Sequence, residues 1–538
     1  MADSKDKDAL SKEDDTKKLL KKDQVINLMY TQLKTEENRV PLNKLLQRIK
    51  AAGIIIEKDK RFHEFLTKCH QFGDTECFKD VALTFEEFYK LIEPKRKLIT
   101  GCVMKRLRIE DFPEFSEAVE GIYESLQSNI SGHATNEFPD VDTVDVNTWG
   151  VAICSIDGQR KFMGHSNYPF TMQSICKPLL LAHVLKTVGM ESVHKYIDFQ
   201  PNNVGDNILE LNLRGKPFNS MANSGAIMLC ALLTALSYKN KSASLVHEAY
   251  VQYLKEFIGD EHLEFKASAF ISKMDTADEL RSLSYGVACS SLMPSGCDTL
   301  TCLDLYIKAC SMEVTVESLS LIAATMANGG INPLTEERVI NSDDIKEILS
   351  AMYSYGVYQY SGESSFMIGL PMKSSTNGAL IMVVPDKMGV ALYSPLLNEY
   401  QISERSFQFC KELVNKLKLH RFDIQGNMTL KKFPNRREKC CVCEPFCELF
   451  SAAAADDVNA LTRLLENKAD FYATDFFGHN LLHIAAAKGC LNAVKNIVET
   501  HPSLITMKDK WGRTPKAYAY ELKFYEIVAY IERLESLH

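Results

Sequence analysis

The chain has 538 residues, of which 46% are hydrophobic and 25% charged, and a net charge of −8. It is too long for one core and should divide into about three or four domains. Its charge balance, with no concentrated basic face, excludes a nucleic-acid footprint. Its longest apolar run, Ala226 to Leu236, falls short of a membrane span. The 16 cysteines lie scattered through apolar runs such as Met228-Leu229-Cys230-Ala231, a pattern that fits reduced thiols in a cytosolic-type compartment.

Residues 1–22 read as a charged, disordered tail. Its acidic, arginine-free start is unlike an arginine-rich transit peptide, so a cytoplasmic location is expected. Residues 23–127 carry a helical pattern in which Leu42, Leu45, Leu46 and Ile49 fall at three- and four-residue steps. Paired helices with acidic loops suggest an EF-hand-like domain. No stretch has the Asp-x-Asp-x-Asp-Gly spacing that calcium needs, and no metal site is expected.

Residues 128–425 form the largest block. Strand-like runs at Trp149 to Ile156, Gly378 to Pro385 and Gly389 to Ser394 flank a long helical middle, and a short turn at Asp386-Lys387 joins the last two. The expected architecture is α+β, an antiparallel sheet against a helical lobe. Residues 426–450 read as a polar linker holding Cys440, Cys441, Cys443 and Cys447. No second cysteine pair follows to complete a zinc site, so reduced linker thiols are the simpler reading. In residues 451–538, the stretch from Asp475 to Ala486 recurs in outline from Asp509 to Ala517, 34 positions on. That spacing and the Leu482-His483-x-Ala485 core resemble ankyrin repeats, which bind protein partners, and make His483 a structural residue that bonds the repeat turn.

The chemistry centres on Gln173-Ser174-Ile175-Cys176-Lys177-Pro178. Residues three apart share a helix face, so Lys177 can stand beside the Ser174 hydroxyl. Near a helix N-terminus and in a dry site, a lysine loses its proton more readily and can take the serine proton. Taken alone, Ser-x-x-Lys is equally a capping serine and a surface lysine. Four further segments bear on the choice. Lys373-Ser374-Ser375-Thr376-Asn377-Gly378 precedes a strand, and Tyr358-Gln359-Tyr360 offers a phenol for proton transfer. Met221-Ala222-Asn223-Ser224 sets an amide before a buried helix, and Leu303-Asp304-Leu305-Tyr306 sets a tyrosine on a helical run.

In this order the segments resemble the glutaminase family, whose catalytic domain is similar in fold to serine β-lactamases and penicillin-binding proteins. A helical N-terminal domain, a glutaminase domain and an ankyrin tail are the order seen in animal glutaminases. The resemblance implies hydrolysis of L-glutamine to L-glutamate and ammonia, without a cofactor. It implies Ser174 as nucleophile, Lys177 as base and Tyr358 as proton carrier. Backbone amides of Ser174 and Thr376 would form the oxyanion hole, and Gln173, Asn223 and Tyr306 would hold the substrate. The family has valine where Thr376 stands, but a main-chain donor survives that change. A homotetramer is implied, with mitochondria as the family's alternative location.

The pattern breaks at several contacts. Lys273 stands where the family has an acid for the substrate ammonium, with Asp275 two residues on. An expected asparagine falls on Leu280 or Ser282, an expected tyrosine on Glu137, and the glycine of Lys-Ser-Gly on Ser375. The other reading is therefore a catalytically silent scaffold that acts through its ankyrin repeats.

Overall fold

The computed structural model describes residues 24–72, 78, 81–134, 145–201, 211–290, 292–423, 444–466, 470–475 and 477–535. The tail 1–22, Glu137 and Cys440 to Cys443 lie outside the described residues. Residues up to 433 form one compact unit and residues from 434 another.

The first unit opens with α1 (Gln24–Leu33), β1 (Val40–Pro41), α2 (Leu42–Ala51), α3 (His63–His70), β2 (Ala82–Leu83), α4 (Phe85–Ile92) and α5 (Arg96–Val103). The three- and four-residue spacing on α2 buries Leu42, Leu45 and Ile49 and leaves Leu46 half-buried. Thr84 caps α4 in a box with Glu87, so two orphan amides at the helix start find partners. β1 pairs antiparallel with β2, Val40 opposite Leu83, and ties the two helix–loop–helix segments together. Their core runs from Ile26 to Leu107. The next helix, α6 (Phe112–Leu126), packs elsewhere. Its Phe115, Val119 and Ile122 join the core of the large sheet.

Two small pairings frame that sheet. β3 (His133–Ala134) meets β12 (Leu396–Leu397), and β6 (Phe170–Thr171), β8 (Met312–Val314) and β7 (Leu263–Phe265) form a three-stranded sheet. The large sheet has five strands in the order β5 (Arg160–Gly164), β4 (Gly150–Ser155), β11 (Met388–Tyr393), β10 (Ala379–Val384) and β9 (Met372–Ser374). All its pairings are antiparallel. Strand side chains alternate between faces, and here both faces are covered, so β4, β10 and β11 are apolar and buried throughout. Val151, Ile153, Leu380, Met382, Val390 and Leu392 face α6 and α17 (Glu404–Leu417). Ala152, Ile381, Val383 and Ala391 face the helical lobe.

That lobe contains α7 (Cys176–Val188), α8 (Met190–Tyr196), α9 (Asn223–Leu232), α10 (Ala243–Ile258), α11 (Ala267–Asp275), α12 (Asp278–Ala288), α13 (Thr299–Cys310), α14 (Val316–Ala327), α15 (Ser342–Tyr355) and α16 (Ser361–Met367). α14 lies so close on β11 that a Cβ at Gly389 would come within 2.2 Å of the Ala324 backbone nitrogen. Only a hydrogen fits there, and the helix can therefore sit directly on the sheet.

The second unit stacks three helix pairs: α18 (Glu444–Ala454) with α19 (Val458–Glu466), α20 (Leu481–Lys488) with α21 (Leu491–Thr500), and α22 (Pro515–Glu521) with α23 (Tyr525–Glu535). The repeated aspartates build the same turn twice. Asp475 Oδ1 accepts from the amides of Phe477 and His479, and Asp509 Oδ1 from those of Trp511 and Arg513. Buried His483 has Nδ1 2.8 Å from Asn480 Oδ1 and Nε2 3.1 Å from the Arg513 carbonyl, which ties one repeat to the next.

Candidate active site

Ser174 sits on a single 3-10 turn, Gln173 to Ile175, that runs directly into α7. Gln173 has φ +46°, in the left-handed region that costs a side-chain-bearing residue energy. The turn is thus held against its own backbone preference, by burial of Met172, Gln173, Ile175 and Cys176. Ser174 itself is half-buried, while Lys177, one turn further, is fully buried.

The sheet edge closes over this turn. The Ser174 amide donates to Ser375 Oγ at 3.3 Å, which joins the serine turn to the loop after β9. Asn377 Nδ2 donates to the Thr171 carbonyl just upstream of the same turn. Tyr358 lies on another 3-10 turn, also with positive φ, +52°. Its hydroxyl donates to the Ser374 carbonyl at 3.2 Å. Beneath its ring, 4.6 Å from the centroid, stands Lys373 Nζ, fully buried and donating to the carbonyls of Gly356 and Ser374. Two carbonyls and a ring face thus hold the Lys373 amine in place next to the phenol.

The lobe closes the other side. Asn223, the first residue of α9, does not cap its helix. Its Oδ1 instead accepts from Tyr306 Oη of α13 at 2.6 Å. Lys273 Nζ of α11 donates to Gln173 Oε1 at 2.6 Å, while Gln173 Nε2 donates to Thr171 Oγ1 at 3.0 Å. Two thiols lie behind: Cys176 Sγ is 3.8 Å from Cys310 Sγ. Burial pushes both thiols up, but at Cys310 the hydrogen bond with Cys176 and the charge of Lys273 act against it, so its pKa falls.

Of the residues singled out from the sequence, Gln173, Ser174 and Lys177 share one turn. Asn223 bonds Tyr306, Tyr358 bonds the strand that leads to Ser375 and Thr376, and Thr376 is half-buried in the loop. Of the altered positions, Leu280 packs against the core and Ser282 is exposed, whereas Lys273 reaches the serine turn. Three contributors escaped sequence reasoning as contacts: Ser375 on the Ser174 amide, Lys373 under Tyr358, and Lys273 on Gln173. Elsewhere, His262, Glu264 and Glu313 bring ligand-type atoms within 4.8 Å of one another. Lys266 Nζ already lies 3.0 Å from Glu313 there, so a cation side chain meets that charge.

Half-buried Ser174 and buried Lys177 thus share one turn beneath the edge of an antiparallel sheet, with Tyr358 bonded to the same edge. The family profile described as Glutaminase matches residues 132–422, and that described as Ankyrin repeats (3 copies) matches residues 449–533. The chain belongs to the glutaminase family. It is 33% identical over 506 residues to the mitochondrial glutaminase liver isoform of Mus musculus, which covers 94% of this chain and 83% of the relative. With the glutaminase of Trichormus variabilis it shares 32% over 302 residues, 56% of this chain and 87% of the relative. Among solved structures, "Probable glutaminase ybaS" is similar with a TM-score of 0.55 and 28% identity, over 58% of this chain and 100% of that one. The family fold is the β-lactamase-like one described above, carried here with ankyrin repeats. A glutaminase is an amidohydrolase, and glutamine is the substrate the family assigns to this domain. Among the described residues, no helix is long and apolar enough to cross a membrane.

Proposed function

We propose that Ser174 is the nucleophile with which this glutaminase hydrolyses L-glutamine to L-glutamate and ammonia. The observation that carries the reading is the placement of half-buried Ser174 and fully buried Lys177 on one turn under the loop that follows β9, joined to it by the Ser174 amide. Ser174 Oγ attacks the side-chain carboxamide carbon and passes its proton to Lys177 Nζ. The tetrahedral oxyanion is met by the amides of Ser174 and Thr376, donors of a kind worth about 3 kcal/mol each. Tyr358 carries the proton to the departing nitrogen, ammonia leaves, and water hydrolyses the glutamyl ester. Lys373 Nζ beneath the ring and the bond to the Ser374 carbonyl hold the Tyr358 phenol in position. Gln173, Asn223 and Tyr306 hold the amino-acid end of the substrate, with Asn223 and Tyr306 already oriented by their mutual bond.

The test is ammonia release from glutamine by the purified full-length protein, beside Ser174→Ala. Equal background from both would sink this assignment and leave the silent scaffold, for which nothing in the site argues better.

The remaining assignments are coarser. The first helical segment is proposed to be EF-hand-like in form, a reading supported by its two helix–loop–helix units joined through β1 and β2. The domain boundaries at about 22, 127, 425 and 450 are proposed with it. A homotetramer, testable by sedimentation, follows the family resemblance. Protein binding by the ankyrin repeats rests on the kind of repeat they are. The mouse relative is named mitochondrial, which supports mitochondria as the alternative to the cytoplasmic location expected above, and fractionation separates the two.

A further inference from the structure

Ser375 is fully buried, and its backbone has little freedom. Its amide donates to the Ala379 carbonyl at 2.9 Å, and its own carbonyl accepts from Gly378 at 3.1 Å. Gly378 in turn has φ +98°, and a Cβ there would come within 2.2 Å of the Ser394 carbonyl oxygen, so the turn 375–378 is fixed against the neighbouring segment. What remains free to move is the Ser375 hydroxyl, and its oxygen accepts the Ser174 amide at 3.3 Å, near the long end of a hydrogen bond.

An amide hydrogen has one strong acceptor at a time. If the Ser174 amide is an oxyanion donor, an oxygen that accepts from it occupies the place of the substrate oxygen. We infer that the Ser375 hydroxyl is a built-in occupant of the oxyanion position, a positioning residue that the substrate oxygen must displace as Ser174 attacks. This rests on the assignment of Ser174 proposed above. The displacement taxes the transition state more than the bound substrate, because a neutral carboxamide can bind with the hydroxyl still in place, whereas the charged oxygen needs the amide for itself. A side chain without the hydroxyl leaves the donor ready. The alternative role, a hydroxyl that turns and donates to the oxyanion as a third partner, has the opposite sign.

The experiment uses the full-length protein as wild type, Ser375→Ala, Ser375→Gly and Ser174→Ala. Ammonia release from L-glutamine is measured together with the inhibition constant of a glutamine analogue whose carboxamide is replaced by a boronic acid, which forms a tetrahedral adduct on serine. Ser375→Ala and Ser375→Gly should raise kcat about fivefold with little change in KM, and bind the boronate more tightly by a similar factor. A merely structural serine would not move the boronate constant apart from KM. Unchanged or lower kcat with unchanged or weaker boronate binding in both variants overturns the inference while leaving Ser174 as the nucleophile. If wild type and Ser174→Ala release ammonia equally and neither Ser375 variant exceeds them, the Ser174 assignment fails and takes the inference with it.

Discussion

The ammonium of Lys273 lies 2.6 Å from the carboxamide oxygen of Gln173, the residue that immediately precedes the serine of the site. This places a positive charge at the lobe side of the pocket, on α11, facing the residue proposed to hold the amino-acid end of glutamine. Free glutamine carries both a carboxylate and an ammonium at that end. The first is attracted by Lys273 and the second repelled, so the charge of this one side chain governs how the substrate sits.

Lys273→Glu should therefore raise kcat/KM for L-glutamine, about tenfold or more, mainly through KM, since reversing a close charge contact changes affinity by a few kcal/mol at most sites of this kind. Lys273→Met, which removes the repulsion without adding attraction, should fall between. Steady-state ammonia release over a range of glutamine concentrations checks both. A lower or unchanged kcat/KM in Lys273→Glu would show that the substrate ammonium sits elsewhere.

Tyr306→Phe deletes the hydroxyl that donates to Asn223 Oδ1 at 2.6 Å while keeping the ring that packs in the core. Asn223 then loses the bond that orients its amide toward α13, and the polar end of the pocket is less firmly set. Loss of one such bond costs about 1 kcal/mol, so KM for glutamine should rise about fivefold with a smaller effect on kcat. A change confined to kcat would place Tyr306 in the chemical step rather than in binding.

Much of this site was legible before folding. The Ser174–Lys177 spacing survives because a 3-10 turn running into a helix keeps residues three apart on one side, and Asn223 and Tyr306 sit on the helices their flanking residues suggested. The antiparallel sheet followed from two late strands separated by a tight turn. The contacts of Ser375 and Lys273 were not legible, because they join segments 201 and 100 residues apart. Sequence marks Ser375 and Lys273 as unusual in their segments but says nothing of what they touch. The place of α6 was hidden for a related reason. Its apolar period is that of any amphipathic helix, and only the tertiary fold shows that Phe115 and Val119 pack on the large sheet rather than with the helices before them.

His183, on the helix that carries Lys177, should make the catalytic unit acid-sensitive. Burial, aided by Lys186, holds its imidazole at about 4, below the ordinary 6.5. Below pH 6.5 the unfolded chain takes up a proton that the folded protein refuses until about pH 4, so stability is lost as pH falls through that window and is unaffected above it. His183→Gln keeps a side-chain partner for the Tyr238 hydroxyl, now 2.8 Å from Nε2, and removes the titration. The drop in Tm between pH 7 and pH 5 should be smaller in the variant by several degrees. An identical drop in both proteins would assign the acid sensitivity to other groups.

In the ankyrin unit the corresponding lever is Asp509. Burial raises its carboxyl, but the Arg513 and Trp511 amides, the Tyr518 hydroxyl at 2.8 Å and the Arg513 guanidinium at 3.1 Å outweigh that and hold it well below the ordinary carboxylate range. A depressed acid contributes stability that is fully present above its unfolded value near 3.8 and is lost as pH falls through the lower folded value. The turn that Asp509 organises also receives His483 through the Arg513 carbonyl, so one carboxylate fixes both the last repeat and its junction with the one before. Asp509→Ala should speed amide hydrogen exchange across residues 509–521 of the full-length protein at neutral pH, together with the His483 segment, and leave α18 less affected. Asp475→Ala, at the equivalent place one repeat earlier, should loosen its own turn, whose carboxylate also bonds His479 at 2.8 Å. If exchange in Asp509→Ala rises only at the mutated turn and His483 stays protected, the junction is held by apolar packing between repeats rather than by this carboxylate.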